Sequence, residues 1–278
     1  MLLATALALA AAVLHAGWNL VAKRADGDRY AVLWAQFFTG GVIALPLLIG
    51  NHVLFGMPWQ GYAWAAASGM VHLPYTWLLA RAYSVGDFSV SYPVARGGGA
   101  ALAAIGGVAL LGDHLSALES IGIAVVILGL GVLARGASVR GLRSALGVAA
   151  TIGAYTLLDA QGARLTGSIA YIFATFVATA ITNTVFSLAT GRRAAMVTML
   201  RTNGRRAAVT GIASLVTYGM VLVAVQHAPV GYVTALRESS VVLAALAGWR
   251  LLGEGDHRRR VAAAAVVFVG LLTLVAGG

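Results

Sequence analysis

The run Arg96–Asp113, RGGGAALAAIGGVALLGD, returns in outline 141 positions later as Arg237–Glu254, RESSVVLAALAGWRLLGE. Arg96 falls on Arg237, Gly107 on Gly248, and Leu110-Leu111-Gly112-Asp113 on Leu251-Leu252-Gly253-Glu254. The same register carries 82–134 onto 223–275 without a gap and sets Gly129-Leu130 on Gly270-Leu271. Apolar matches mean little in a chain that is 60% hydrophobic. An arginine inside an apolar run and a Leu-Gly-acid boundary, both in one register, mean more.

Working outward from that pair, apolar segments fall at about 2–22, 30–49, 62–83, 88–111, 117–134, 144–163, 168–190, 207–226, 230–251 and 259–276. Each is about the 20 residues that a helix needs to cross a hydrocarbon core of roughly 30 Å. The reading is an all-α integral membrane protein of ten transmembrane helices, made of two five-helix repeats, 1–136 and 137–278. Five is odd, so the second repeat must insert upside down relative to the first. That inverted-repeat plan is common among secondary transporters, whose sites lie near the bilayer midplane where the halves meet.

Composition narrows the function classes. Only 10% of the 278 residues are charged, against about a quarter in soluble domains. The net charge of +10 does not signal nucleic-acid binding, because the basic residues sit in short connections such as Arg192-Arg193 and Arg258-Arg259-Arg260. The connections after helices 1, 3, 5, 7 and 9 hold 16 Lys and Arg; those after helices 2, 4, 6 and 8 hold 1. The positive-inside rule then puts the odd connections in the cytoplasm and both termini outside an inner (plasma) membrane. The chain lacks cysteine, which excludes thiolate metal sites and cysteine nucleophiles. The first apolar run has no basic segment ahead of it and carries His15, Trp18 and Asn19, so it reads as a membrane helix and not as a cleaved leader.

The Leu-Gly-acid ends of helices 4 and 9, Pro229, the Arg237-Glu238-Ser239-Ser240 stretch, and His15-Ala16-Gly17-Trp18-Asn19 with Lys23 together resemble the EamA-type branch of the drug/metabolite transporter superfamily. The resemblance covers essentially the whole chain. It implies transport of small metabolites, including amino-acid export. Separately, the absence of catalytic, ATP-binding and cofactor motifs reads as no enzyme and no cofactor. The first-half motif departs from the pattern by ending in Asp113, and members of the branch are described with cytoplasmic termini, opposite to the charge count here.

Candidate site residues follow from the cost of polarity in a bilayer, where an ionisable side chain faces a cavity or a partner. Arg96 and Arg237 lie about eight residues, or about 12 Å, into their helices. Asp159 and Glu238 are the carboxylates inside the spans. In one reading the guanidinium groups hold a substrate carboxylate and Asp159 or Glu238 holds its amine, as a zwitterion requires. In the other they are internal ion pairs, such as Arg96 with Asp159 or Arg237 with Glu238. A continuous helix would point Arg237 and Glu238 about 100° apart.

His15, Trp18 and Asn19 share a helix face, and a shift of 140 sets Tyr155 on His15 and Asp159 on Asn19. These pairs line a central cavity or bond between helices. Tyr75, Trp77, Tyr92 and Tyr218 supply aromatic candidates, Trp77 matching Tyr218 in the 141 register. His15, Asp159 and Glu238 leave room for proton coupling. Trp34, Trp59, Trp64 and Trp249 read as interfacial belt residues. Pro46, Pro74 and Pro93 mark bends or hinges. Gly99, Ala103 and Gly107 read as close helix packing, and Gly97-Gly98-Gly99 as no phosphate cradle, since neither a preceding strand nor a following Lys-Ser/Thr is present.

The expected function is a secondary carrier exporting an amino acid or similar zwitterion, with organic anions or phosphorylated sugars as the alternative substrates. A channel and an intramembrane enzyme are the remaining classes. The expected partners are the substrate and the lipid bilayer, with a monomer or weak dimer as the assembly.

Overall fold

The computed structural model describes residues 2–25, 27–111, 116–135, 137–166, 169–227 and 236–277. Among these, every regular element is a helix: α1 (Leu2–Arg24), α2 (Arg29–Phe55), α3 (Trp59–Val85), α4 (Phe88–Leu111), α5 (Ala117–Ala134), α6 (Val139–Thr166), α7 (Ala170–Ala189), α8 (Arg193–His227), α9 (Ser240–Leu252) and α10 (His257–Ala276). Six of them, α1, α2, α4, α5, α6 and α7, are long and apolar enough to cross a membrane. Large apolar side chains such as Val42, Leu45, Ile49 and Val53 on α2 stay exposed, as suits a lipid-facing surface. The fold is that of an α-helical membrane-embedded protein.

Local chemistry sets the helix ends. Asp28 caps α2 by accepting from the amides of Tyr30 (2.9 Å) and Ala31 (3.2 Å). Ser116 and Glu119 form a reciprocal capping box on α5. Pro46, Pro74 and Pro93 lie inside α2, α3 and α4, which continue through them. The expected ninth span over 230–251 takes another form. Leu236 and Arg237 are helical, Glu238 and Ser239 form a turn, and α9 starts at Ser240. Helix α8 is longer than a span, and Asn203 (φ −131°, ψ 18°) kinks it near the expected start at 207.

The helices mix the two halves of the sequence. The most extensive packing is between α5 and α10, α3 and α6, α4 and α6, α2 and α7, α3 and α7, α1 and α8, and α2 and α8. Exchanging α1–α5 with α6–α10 turns each of these pairs, and α4 with α9, into a pair that also packs. Close approach at α4 needs its glycines. A Cβ on Gly99 would lie 2.5 Å from Ile152 Cγ2 of α6, and one on Gly97 would lie 2.7 Å from Val267 Cγ1 of α10. The triple-glycine run is therefore a packing surface.

All the odd-numbered connections meet at one end, termed here the basic end. Lys23 donates to the carbonyls of Tyr83 (2.9 Å) and Gly86, and Ser138 to that of Val85 (3.2 Å). Arg192 pairs with Asp28 at 3.0 Å. Arg24 donates to the Leu251 carbonyl and Arg259 to the Arg135 carbonyl, both at 2.7 Å. The far end holds both termini. Ala4 and Ala8 pack on Ala224, and Gly277 abuts Ser116 and Glu119.

Candidate functional site: a charged cavity above a latched end

A cavity of about 260 Å³ lies inside the bundle, with walls from α1, α2, α3, α4, α6, α7 and α8 and with Arg237 ahead of α9. Its lining runs from Trp18, Phe37 and Thr179 at mid-depth to Ala163, Tyr171 and Ile172 beside the connection of α6 to α7, towards the far end. His15, Trp18, Tyr75, Arg96, Tyr155, Asp159, Tyr218 and Arg237, eight of the sequence candidates, all reach it.

The cationic side is a cluster of three groups. Arg96 and Arg237 both ion-pair with Oε1 of Glu238, the Arg237 contact being 3.3 Å. The turn at Glu238 makes this geometry reachable, since a continuous helix would splay the neighbours. Arg96 thus finds its partner in the other half of the chain and not in Asp159. Two arginines against one carboxylate leave a net charge of +1, with Glu238 only 3% exposed. Nε of both arginines, Oε2 of Glu238, the Tyr92 hydroxyl and the Trp18 indole nitrogen have no hydrogen-bond partner among the described residues. Buried polar atoms are rarely left so, and a polar ligand at this wall would satisfy several together.

The anionic side is Asp159, whose Oδ1 accepts from the Tyr171 hydroxyl at 2.9 Å. Aromatic rings join the two sides: His72 stacks on Tyr155 with centroids 4.3 Å apart, Tyr75 meets Tyr155 edge-on at 5.7 Å, and Phe176 meets Tyr218 edge-on at 5.3 Å. His15 stands edge-on to Trp18 at 4.9 Å. No three His, Asp or Glu side chains among the described residues converge as a metal site.

Four candidates lie elsewhere. Trp77 is 43% exposed, under the Arg81 guanidinium at the periphery. Asn19 is buried below the cavity, its Oδ1 accepting from the Tyr83 hydroxyl at 2.6 Å. Tyr92 is buried behind His15, against Phe88. Glu238 stands behind its arginines. Among the tryptophans read as belt residues, Trp59 and Trp64 stay at or near the surface, but Trp34 is 2% exposed because Thr184 accepts its indole N–H at 2.9 Å.

Sequence reasoning missed His72, Phe37, Tyr171 and Thr179. The signal for His72 was its spacing: Ser68, His72, Tyr75, Leu79 and Tyr83 recur at three and four residues and form the buried stripe of α3. Trp77, five residues from His72, falls off that stripe.

Beneath Asn19 the basic end is shut. Glu254 accepts from the backbone amides of Phe88 (2.6 Å) and Ser89 (2.8 Å), capping the first turn of α4 from across the molecule. Arg260 donates to the Ser89 hydroxyl at 3.0 Å and pairs with Asp87 at 2.6 Å. Gly253, in the left-handed region at φ 66°, turns the chain so that Glu254 folds back. Gly248 lets α4 come close, because a Cβ there would lie 2.7 Å from that of Ser89. The Leu251-Leu252-Gly253-Glu254 motif is thus a latch. Its first-half counterpart at Gly112 and Asp113 lies outside the described residues, as does Pro229.

No family model matches the chain, and no curated protein matches it. Solved structures do: one crystal structure of a protein aligns over 98% of this chain and 95% of its own, with a TM-score of 0.60 at 15% identity. At that identity the likeness concerns the fold alone.

Proposed function

We propose that the protein is a secondary carrier that exports a small zwitterionic metabolite, an amino acid, by alternating access through the central cavity. The observation that carries this is the cavity's polarity: a net cationic wall of Arg96, Arg237 and Glu238 faces Asp159 across aromatic side chains. A carboxylate suits the guanidinium forks and an amine suits Asp159. The volume of about 260 Å³ is below the roughly 300–1,000 Å³ of drug-sized pockets, so the cargo is of amino-acid size.

The latched basic end and the cavity reaching towards the far end supply the asymmetry a carrier needs. The exchange-invariant helix pairing and the 141-residue register support ten crossings arranged as two inverted repeats, 1–136 and 137–278. The resemblance to the EamA-type branch agrees with that plan. In this reading the protein sits in a cell's inner membrane with the basic end facing the cytoplasm and both termini outside, as the loop charge supports. In this reading the protein is no enzyme.

Purified protein in proteoliposomes should give saturable, counter-substrate-stimulated amino-acid flux; linear, unsaturable flux would mean a channel. A second reading, a carrier for organic anions or phosphorylated sugars, draws on the excess of arginine over carboxylate in the cavity. Asp159→Asn separates the two. It should raise KM for amine-bearing substrates about tenfold or more, the worth of a hydrogen bond to a charged group, and leave simple anions unchanged. Equal loss for both would favour the anion reading.

A further inference from the structure

The largest cavity described, about 780 Å³, is not the central one. It lies at the basic end, between the last turn of α1 (Val21, Arg24, Ala25), Val32 of α2 and the kinked part of α8 (Met199, Asn203, Arg205, Arg206, Val209). Three arginines from two helices converge on it, and no acidic residue lines it among the described residues.

The positive-inside rule accounts for basic residues at this end but not for the convergence of three of them on one groove. Some basic residues at the same end are engaged, Arg192 with Asp28, Arg259 with Asp256, Arg260 with Asp87, and Lys23 with two carbonyls. Others, such as Arg193 and Arg201, are exposed surface charges that do not line this groove. Arg24 makes one hydrogen bond, to the Leu251 carbonyl, and Arg205 and Arg206 make no ion pair or side-chain hydrogen bond among the described residues. The rim is apolar. Val209 is 59% and Val21 39% exposed, so the groove opens onto exposed apolar surface.

We infer that this groove binds the head group of an anionic phospholipid, with its phosphate among Arg24, Arg205 and Arg206 and its acyl chain along Val21 and Val209. Basic pockets between membrane helices on the cytoplasmic side recognise such head groups, and the exposed valines distinguish a lipid from a free phosphate. The Asn203 kink builds the site, because it turns Arg205 and Arg206 off the line of the preceding segment towards the end of α1. Arg24 also holds the C-terminal carbonyl of α9, so the head group sits against the latch. The inference rests on the membrane-embedded fold and on the proposed cytoplasmic orientation of the basic end, and not on transport.

The test is lipid binding by full-length protein in detergent, read by native mass spectrometry and thermal unfolding. Phosphatidylglycerol should bind and raise Tm, whereas phosphatidylcholine of the same chains and inorganic phosphate should not. The double variant Arg205→Gln/Arg206→Gln should bind phosphatidylglycerol about thirtyfold more weakly, at roughly tenfold or less per basic residue. The control Arg193→Gln/Arg201→Gln, which removes exposed charges outside the groove, should bind as the wild type does. Equal binding of the two lipids, reproduction of the shift by phosphate, or equal loss in both double variants would overturn the site.

Discussion

At the basic end the described carboxylates are saturated: Asp28, Asp87 and Asp256 each have an arginine, and Glu254 takes two backbone amides and a hydroxyl. In the cavity, about two helical turns from that end, two arginines share one carboxylate and several buried polar atoms have no partner among the described residues. The basic end ties up its carboxylates, although Nε of Arg259 and Arg260 has no partner among the described residues, whereas the cavity buries a cluster in which cations outnumber the carboxylate. In the proposed reading the difference separates an end that closes from a cavity that receives a guest, since an excess of buried charge calls for a counter-charge from outside the protein.

Four measurements would break or sharpen that contrast. The largest effect is all-or-none. With no native cysteine in the chain, Ala137→Cys beside the basic end should react with an impermeant thiol reagent only in inside-out vesicles. Labelling of right-side-out vesicles would reverse which end faces the cytoplasm. Next, Glu238→Ala should lower stability by about 3–5 kcal/mol, because it leaves Arg96 and Arg237 buried together without a counter-charge. Retained thermal stability in detergent would mean that the arginines have other support.

The third effect is conformational. Glu254→Gln should weaken the latch by about 1.4 kcal/mol and raise about tenfold the labelling of a cysteine at buried Ala22 from the basic end. Unchanged labelling would show that packing alone seals this end. The smallest is Tyr83→Phe, which removes the donor to Asn19 and should cost about 1 kcal/mol of thermal stability while leaving substrate KM unchanged. A changed KM would put the Asn19–Tyr83 layer in the site itself.

Hydropathy and the internal register made the helical plan legible, because a bilayer enforces span length and buried charge. They also brought out Arg96 and Arg237. They could not pair Arg96 with Glu238, because a continuous helix was assumed where the chain makes a turn, and the partner lies in the other half. Trp77 and Trp34 show a second limit. Each matched a compositional role, but the stripe spacing of α3 turns Trp77 outward and the Thr184 hydroxyl draws Trp34 inward. The role of Glu254 was half visible: its position at a helix end was readable, but the amides it caps belong to α4, far away in sequence.

That same helix partnership bears on how the protein is made. Neither half has an interior of its own, since α1, α2, α3 and α4 find their main neighbours among α6 to α9, and α5 finds its own in α10. A first half without the second would leave α4 without its cap and Arg96 without its carboxylate. Quality-control proteases and chaperones of the membrane therefore meet an exposed charge until nearly the last helix has been inserted, so premature truncation should leave nothing that survives.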